Sequence, residues 1–290
     1  MDWLRIRPEG TYLDATVGTG GHAIEIAQRL TTGRLVGMDR DPQALEVARE
    51  RLKAFGARVT LVHAEFSKIG EVATNLNLPP FDGVVADLGI SSLELDSPDR
   101  GFSFRWAAPL NMRMNPEDAL TADEIVNTWP ERELADLLYH NAEERDSRRI
   151  ARAIVRARPI RDTGHLATIV AGVRKARGRQ RLQPATKTFL ALRIAVNREL
   201  EELGQFLSRT PATMNSGGRW IVLSYHSLED RLVKHAFQDL AREGSVRILT
   251  KKVIEPGEEE IRANPRARSA KMRVAEKLAP SGIETAGSRP

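Results

Sequence analysis

The sequence predicts an α/β fold: a parallel sheet wound with helices and interrupted late in the chain by a wholly helical insertion. Three observations carry this. Five short apolar runs, at 12–17, 34–38, 59–63, 83–87 and 219–224, end in polar residues or glycine, the pattern of strands buried on both faces of a sheet. Between the early runs, apolar residues recur at helical spacing. The first four runs follow one another at about twenty to twenty-five residues, whereas the fifth does not arrive until 219.

Taken in order, the run at 12–17 is followed by helical spacing over 23–30, and the run at 34–38 by a helix over 42–55. Asp41 precedes Pro42, which reads as an N-cap with proline at the first helical position. Runs 59–63 and 83–87 supply the third and fourth strands. From 105 to 205 no convincing strand appears; 131–139, 147–158, 163–174 and 186–206 carry helical patterns. Such an insertion is most simply a second subdomain over the C-terminal edge of the strands, where an open α/β sheet keeps its ligand crevice. After the fifth strand, 228–240 reads as a helix, 246–254 and 271–278 as a closing pair of strands, and the residues from 279 as a disordered tail. The expected division is 1–104 with 207–280, an insertion at 105–206, and a tail at 281–290. No internal repeat is present.

Composition narrows the function. The 290 residues are 41% hydrophobic and 29% charged, ordinary for a globular chain. No run approaches a membrane span, and the N-terminus lacks the apolar core of a signal peptide, so a cytoplasmic location is expected. The chain has no cysteine. That excludes disulfides, thiolate metal sites, cysteine nucleophiles and iron–sulfur clusters. The six histidines show no ligand spacing, and no metal is expected. The net charge is +5, but residues 141–181 hold twelve Arg or Lys against four Asp or Glu. A second basic group, Arg266, Arg268, Lys271 and Arg273, lies near the C-terminus. Solvated helix faces would account for such charge; phosphate binding is the sharper reading.

The chemistry-bearing residues gather at strand ends. Asp14-Ala-Thr-Val-Gly18-Thr-Gly20-Gly21-His22 and Gly37-Met-Asp39-Arg-Asp41 sit one βαβ step apart. Glycines allow a sharp turn and close approach to a ligand, the helix N-terminus behind them favours a carboxylate, and Asp39 is suited to ribose hydroxyls. NAD, FAD and S-adenosylmethionine all fit that description. Dinucleotide sites favour a third glycine where this chain has Ala23, which tilts the choice towards S-adenosylmethionine. Phe66, after the third strand, is placed to stack on adenine. Asp87 ends the fourth strand, where a carboxylate accepts a hydrogen from an exocyclic amine and orients its nitrogen lone pair. In Ser224-Tyr-His-Ser-Leu-Glu-Asp-Arg231, Tyr225 and His226 face the same crevice, with Ser227 and Asp230 as a capping arrangement. The absence of cysteine favours direct transfer to nitrogen or oxygen over methylation of carbon 5 of cytosine, which usually uses a thiolate adduct.

The ordered set formed by the Asp14–His22 segment, Asp39-Arg-Asp-Pro, Asp87-Leu-Gly-Ile-Ser-Ser, Arg100-Gly-Phe-Ser-Phe, Met112-Arg-Met, Pro184-Ala-Thr-Lys-Thr-Phe, the Ser224–Arg231 segment and Asn264-Pro-Arg-Ala-Arg-Ser-Ala-Lys resembles one bacterial family. It is the methyltransferase H family of the ribosomal small subunit, known also as MraW, and the similarity runs from about residue 9 to 278. The resemblance implies a Rossmann-like class I methyltransferase sheet with a helical insertion between strands 4 and 5. It implies methylation of N4 of a cytidine in the decoding region of 16S ribosomal RNA, with S-adenosylmethionine as donor and the small subunit as partner. Cofactor contacts carried over by motif fall on Gly20, Gly21, His22, Asp39, Phe66, Asp87 and Glu94, within a loop that also brings Asp14 and Gly18. Asp87, Tyr225 and His226 are then the expected catalytic group. Arg148, Arg149, Arg152, Arg156, Lys187, Arg266, Arg268 and Lys271 are the expected RNA contacts.

Several positions depart from the family pattern. Glu94 stands for a usual glutamine, Thr19 for an arginine, Asn111 and Asn115 for two aspartates and Leu190 for another glutamine, and the N-terminal His-x-Pro-Val segment is missing. A diverged relative with another RNA substrate, or one that binds RNA and cofactor without turnover, is therefore kept as an alternative. A DNA amino-methyltransferase would show Pro-Pro-Tyr or Pro-Pro-Phe where this chain reads Leu88-Gly-Ile, and a nicotinamide dehydrogenase would carry the third glycine that this chain replaces with Ala23. Dimerisation is left open.

Overall fold

The computed structural model describes residues 1–174 and 183–279. The chain forms two compact units, one made of Met1–Gly89 and the chain from Leu203 onward, the other of Ile90–Glu202. In the first unit β1 (Thr11–Asp14), β2 (Arg34–Asp39), β3 (Val59–His63), β4 (Phe81–Asp87), β5 (Met214–Ser224), β6 (Val246–Ile248) and β7 (Lys271–Lys277) make a seven-stranded sheet in the order β3-β2-β1-β4-β5-β7-β6. The first five strands are mutually parallel, and β7 runs antiparallel to both β5 and β6. The order reverses between β1 and β4, so a crevice opens at the C-terminal ends of these strands.

Alternation along the strands builds two cores. Leu13, Val36, Met38, Val84, Ala86, Trp220 and Val222 enter one face; Tyr12, Leu35, Val85 and Ile221 enter the other. On the first face Trp220 meets Phe237 at 4.8 Å and Phe206 at 5.9 Å between ring centroids. On the second, a Cβ at Gly37 would stand 2.9 Å from Val17 Cγ2, so glycine lets the loop after β1 settle onto β2. Helices α1 (Gly21–Ala27), α2 (Pro42–Leu52) and α3 (Ile69–Asn75) connect these strands. Asp41 caps α2, its carboxylate accepting from Gln43 N at 2.9 Å, with Pro42 next in the chain as the sequence predicts.

The second unit carries no strand among its described residues. It comprises α4 (Ser92–Asp96), α5 (Ala122–Thr128), α6 (Glu131–Ala142), α7 (Ser147–Arg156), α8 (Thr163–Arg174), α9 (Thr186–Asn197) and the start of α10 (Glu199–Arg209). Ile125, Leu134, Leu138, Ile150, Ile154, Leu166, Val170 and Leu192 form its core. The sequence reading begins the insertion at 105, but this unit begins at Ile90. Arg100 explains the difference, since its guanidinium donates to the carbonyls of Arg113 and Met114 at 3.0 and 2.8 Å and ties the preceding segment in. No helix of the described residues is long and apolar enough to cross a membrane.

Two readings of secondary structure need correction. The single helix over 186–206 is two, because Arg198 takes the left-handed conformation (φ 51°). Buried Asn197 fixes that point: its side chain accepts from Met114 N and donates to the carbonyls of Met112 and Arg193, each at 2.7–2.9 Å. The closing strand expected over 246–254 ends at Ile248, leaving one bridge from Ile254 to Met272, and α11 (Ser227–Arg242) is followed by a short α12 (Glu258–Ala263). The tail expected over 281–290 lies outside the described residues.

Replacing Asn197 by leucine leaves the Met114 N–H and Met112 C=O buried without partners. At about 1–3 kcal/mol for each such group, Asn197→Leu is expected to destabilise the protein by about 2–6 kcal/mol in urea denaturation. A loss under about 0.5 kcal/mol, the range of an ordinary surface change, would contradict this role.

Candidate active site

The parallel strands deliver three carboxylates to one edge of the sheet. Asp14 ends β1, Asp39 ends β2 and Asp87 ends β4. Each is held by hydrogen bonds from neighbouring backbone or side-chain groups. Asp39 accepts from Gly18 N at 2.7 Å through one oxygen and from Asp41 N at 2.9 Å through the other. This pairing locks the glycine loop after β1 to the end of β2. Asp14 accepts from Thr16 N at 3.3 Å, while its Oδ2 is buried with no hydrogen-bond partner among the described residues. Asp87 donates its backbone N–H to Thr16 Oγ1 at 2.7 Å and accepts from the Tyr225 hydroxyl at 2.8 Å. His22 Nδ1 lies 3.8 Å from its other oxygen.

Burial sets the protonation of this cluster. It pushes the Asp14 carboxyl up to about 8, against the Thr16 N–H, with Asp87 and Asp39 adding to the rise. Burial also raises Asp39 despite the N–H groups of Asp41 and Gly18, and raises Asp87 despite His22 and the Tyr225 hydroxyl. The Tyr225 phenol is driven well above its ordinary value by burial first and by Asp87 second, so it stays a donor.

The remaining expected residues fall into place unevenly. Gly18 and Gly20 both have positive φ, and Gly20 at 89° immediately precedes α1, whose first residue is the exposed Gly21. Phe66 is half-buried, its ring edge-on to Phe206 at 5.2 Å. His226, not Ser227, caps α11: its Nδ1 accepts from Glu229 N at 3.4 Å. Glu229, absent from the sequence reading, is buried, accepts from Tyr225 N at 2.9 Å and stands 3.1 Å from His226 Nε2. Asp230, expected to share in the cap, instead pairs with Arg273 at 2.7 Å and Lys271 at 3.5 Å. Because β7 is antiparallel to β5, with Lys271 opposite Ser224, the segment bearing the exposed Arg266 and Arg268 reaches the same edge of the sheet as Asp87 and Tyr225.

Glu94 belongs to the other unit. It completes a capping box with Ser91, accepting from Ser91 N at 2.7 Å, and lies 3.8 Å from Arg100. In the same unit Arg148, Arg149, Arg152 and Arg156 are exposed on α7, whereas half-buried Lys187 donates to the Glu143 carbonyl at the end of α6. Residues 175–181 of the basic stretch lie outside the described residues.

The donor set of the first unit suits S-adenosylmethionine. Each Asp39 oxygen retains a lone pair for a ribose hydroxyl, and the unpartnered Asp14 oxygen offers an acceptor for an ammonium. Among known proteins, a sequence profile of the MraW methylase family matches residues 1–278. The ribosomal RNA small subunit methyltransferase H of Koribacter versatilis is 50% identical over 285 residues, spanning 95% of this chain and 90% of that protein. Its namesake in Cyanothece sp. is 50% identical over 275 residues with the same two shares. That of Heliobacterium modesticaldum is 46% identical over 299 residues and 96% of each chain.

Asp14 binds its proton more tightly folded than unfolded across the interval from 3.8 to about 8, so its contribution to stability is full below that interval and lost as pH rises through it. Asp14→Asn is expected to shrink the fall in denaturation midpoint between about pH 5 and pH 8. Equal falls in the two proteins would contradict the raised value.

Proposed function

The chain belongs to the MraW methylase family, and from that premise we propose that it methylates the N4 amino group of a cytidine in the decoding region of 16S ribosomal RNA, in the bacterial cytoplasm. The observation that carries the reading is the position of Asp87 at the end of β4, its carboxylate aligned by Tyr225 and its backbone by Thr16. S-adenosylmethionine supplies, when bound, an electrophilic methyl group on a sulfonium.

The chain's own residues supply holding and charge. Asp39 would hold the ribose, Asp14 the ammonium, and the turn at Gly18, Gly20 and Gly21 would admit the methionine end; Phe66 would meet the adenine. Asp87 would accept a hydrogen from the cytosine amine. That turns the nitrogen lone pair towards the methyl group and offsets the positive charge that grows on nitrogen. Tyr225, kept as a donor, holds one Asp87 oxygen, and Glu229 fixes the Tyr225 backbone. His226 would act through that same turn. Exposed Arg149, Arg152 and Arg156 of α7, with Arg266 and Arg268, would meet RNA phosphates.

The departures from the family pattern have local explanations. Asn111 Oδ1 accepts from Arg113 Nε at 2.8 Å and Asn115 Oδ1 from Glu117 N at 3.1 Å, so each amide keeps the acceptor oxygen its turn uses. Thr19 accepts from Arg51 through its carbonyl at 2.7 Å and its hydroxyl at 3.2 Å. Leu190 packs against the core of its unit. These contacts show how the substituted side chains are accommodated.

Labelled S-adenosylmethionine and small ribosomal subunits from a strain lacking this gene test the proposal, with the product identified by mass spectrometry. N4-methylcytidine in the decoding region is expected. No transfer, from protein that still binds the cofactor, would overturn it.

A further inference from the structure

The helical unit carries a cleft whose chemistry is more specific than a basic face. It is an open groove of about 250 Å³ between α7 and α8, lined by Arg149, Arg152, Ala153, Arg156, Gly172 and Val173. The three arginines fall at i, i+3 and i+7, which places them in one row along α7 over about 10 Å. On the α8 side, a Cβ at Gly172 would stand in open space, meeting nothing within 4 Å. Arg149 stands 3.5 Å from Asp146 and Arg152 3.3 Å from Glu131, with both guanidinium groups more than half exposed, and Arg156 makes no ion pair among the described residues. The Arg152–Glu131 pair is exposed on both sides and weak, while Arg149 reaches the buried Asp146 only at the long end of hydrogen-bond distance, so both guanidinium groups can turn to a better acceptor. A row of planar donors along an open groove suits phosphates, which a guanidinium binds through two parallel bonds.

We propose that this α7–α8 cleft is the backbone-binding track of the protein, taking a single RNA strand by its phosphates and without regard to base. The proposal rests on RNA being the substrate. It separates the cleft-lining Arg149, Arg152 and Arg156 from Arg148, which is equally exposed on α7 but is not part of the lining. The row is about 10 Å long, enough to meet more than one phosphate of a strand.

The test is binding of the full chain to fluorescent oligouridylate and oligocytidylate across a salt series, with S-adenosylmethionine affinity measured in parallel. Arg149→Gln, Arg152→Gln and Arg156→Gln are each expected to weaken both oligonucleotides severalfold and equally. Each should also lower the slope of log affinity against log salt by about 0.7. Arg148→Gln should change either quantity much less. Gly172→Glu leaves every arginine in place and replaces glycine by a better helix former, yet puts a carboxylate in the groove; it should weaken RNA as the arginine variants do. Cofactor affinity should not move in any variant. Equal effects from Arg148 and the three lining residues would overturn the cleft in favour of a diffuse basic face. Unchanged RNA binding, with loss of binding to an oligoglutamate instead, would overturn it in favour of an acidic protein segment. Normal methylation of subunits together with unaltered salt slopes would sink the cleft alone, whereas slopes that fall as stated in a protein that methylates nothing would sink only the proposed reaction.

Discussion

The site depends on keeping three carboxylates, one buried and two half-buried, at one end of a parallel sheet with few positive charges beside them. Asp14, Asp39 and Asp87 arrive there because β1, β2 and β4 are adjacent and run the same way. What makes their burial tolerable is hydrogen bonding from Gly18, Asp41, Thr16 and Tyr225. Burial without full Coulombic compensation leaves the carboxyls with raised proton affinity, most of all Asp14. An edge of this kind is incomplete until a positively charged ligand enters. S-adenosylmethionine carries both an ammonium and a sulfonium, so the fold's electrostatic deficit and the proposed cofactor match.

The same bonds make the cluster rigid. Thr16 touches both sides of it, giving its N–H to Asp14 and accepting the Asp87 N–H on its hydroxyl. Glu229, at the start of α11, holds the backbone of Tyr225, whose hydroxyl fixes Asp87. Behind these groups, Trp220 on β5 packs against Phe206 and Phe237, and Phe206 against Phe66. The aromatic core and the edge of the site therefore share strand β5 and the segment at Phe66. In the other unit Asn197 plays a comparable part, joining the end of α9 to Met112 and Met114.

Much of the first unit was legible in the sequence, because strands buried on both faces leave continuous apolar runs and their polar ends mark the site. Asp39, Asp87 and Tyr225 follow from that reasoning alone. What escaped depends on partners far along the chain. Thr16 meets Asp87 at a separation of 71 residues, and Asn197 meets Met112 at 85, so neither role leaves a local pattern. The break after α9 was hidden because the apolar periodicity continues through Leu203 and Phe206. His226 was misjudged as to the cap because histidine is an unusual N-cap, and the nearby serine offered the ordinary one. Glu94 illustrates a different limit. Its position follows from the family pattern, but its use in a capping box with Ser91 is visible only in three dimensions.

The most direct measurement is calorimetric titration of the protein with S-adenosylmethionine near pH 7, repeated in buffers of different ionisation enthalpy. A cation entering beside Asp14, whose carboxyl burial pushes up to about 8, lowers its proton affinity, so binding is expected to release protons, and Asp14→Asn to release fewer. Binding heats that do not depend on the buffer would mean that no proton leaves, and would contradict the account of this site as a set of uncompensated carboxylates awaiting a positive ligand.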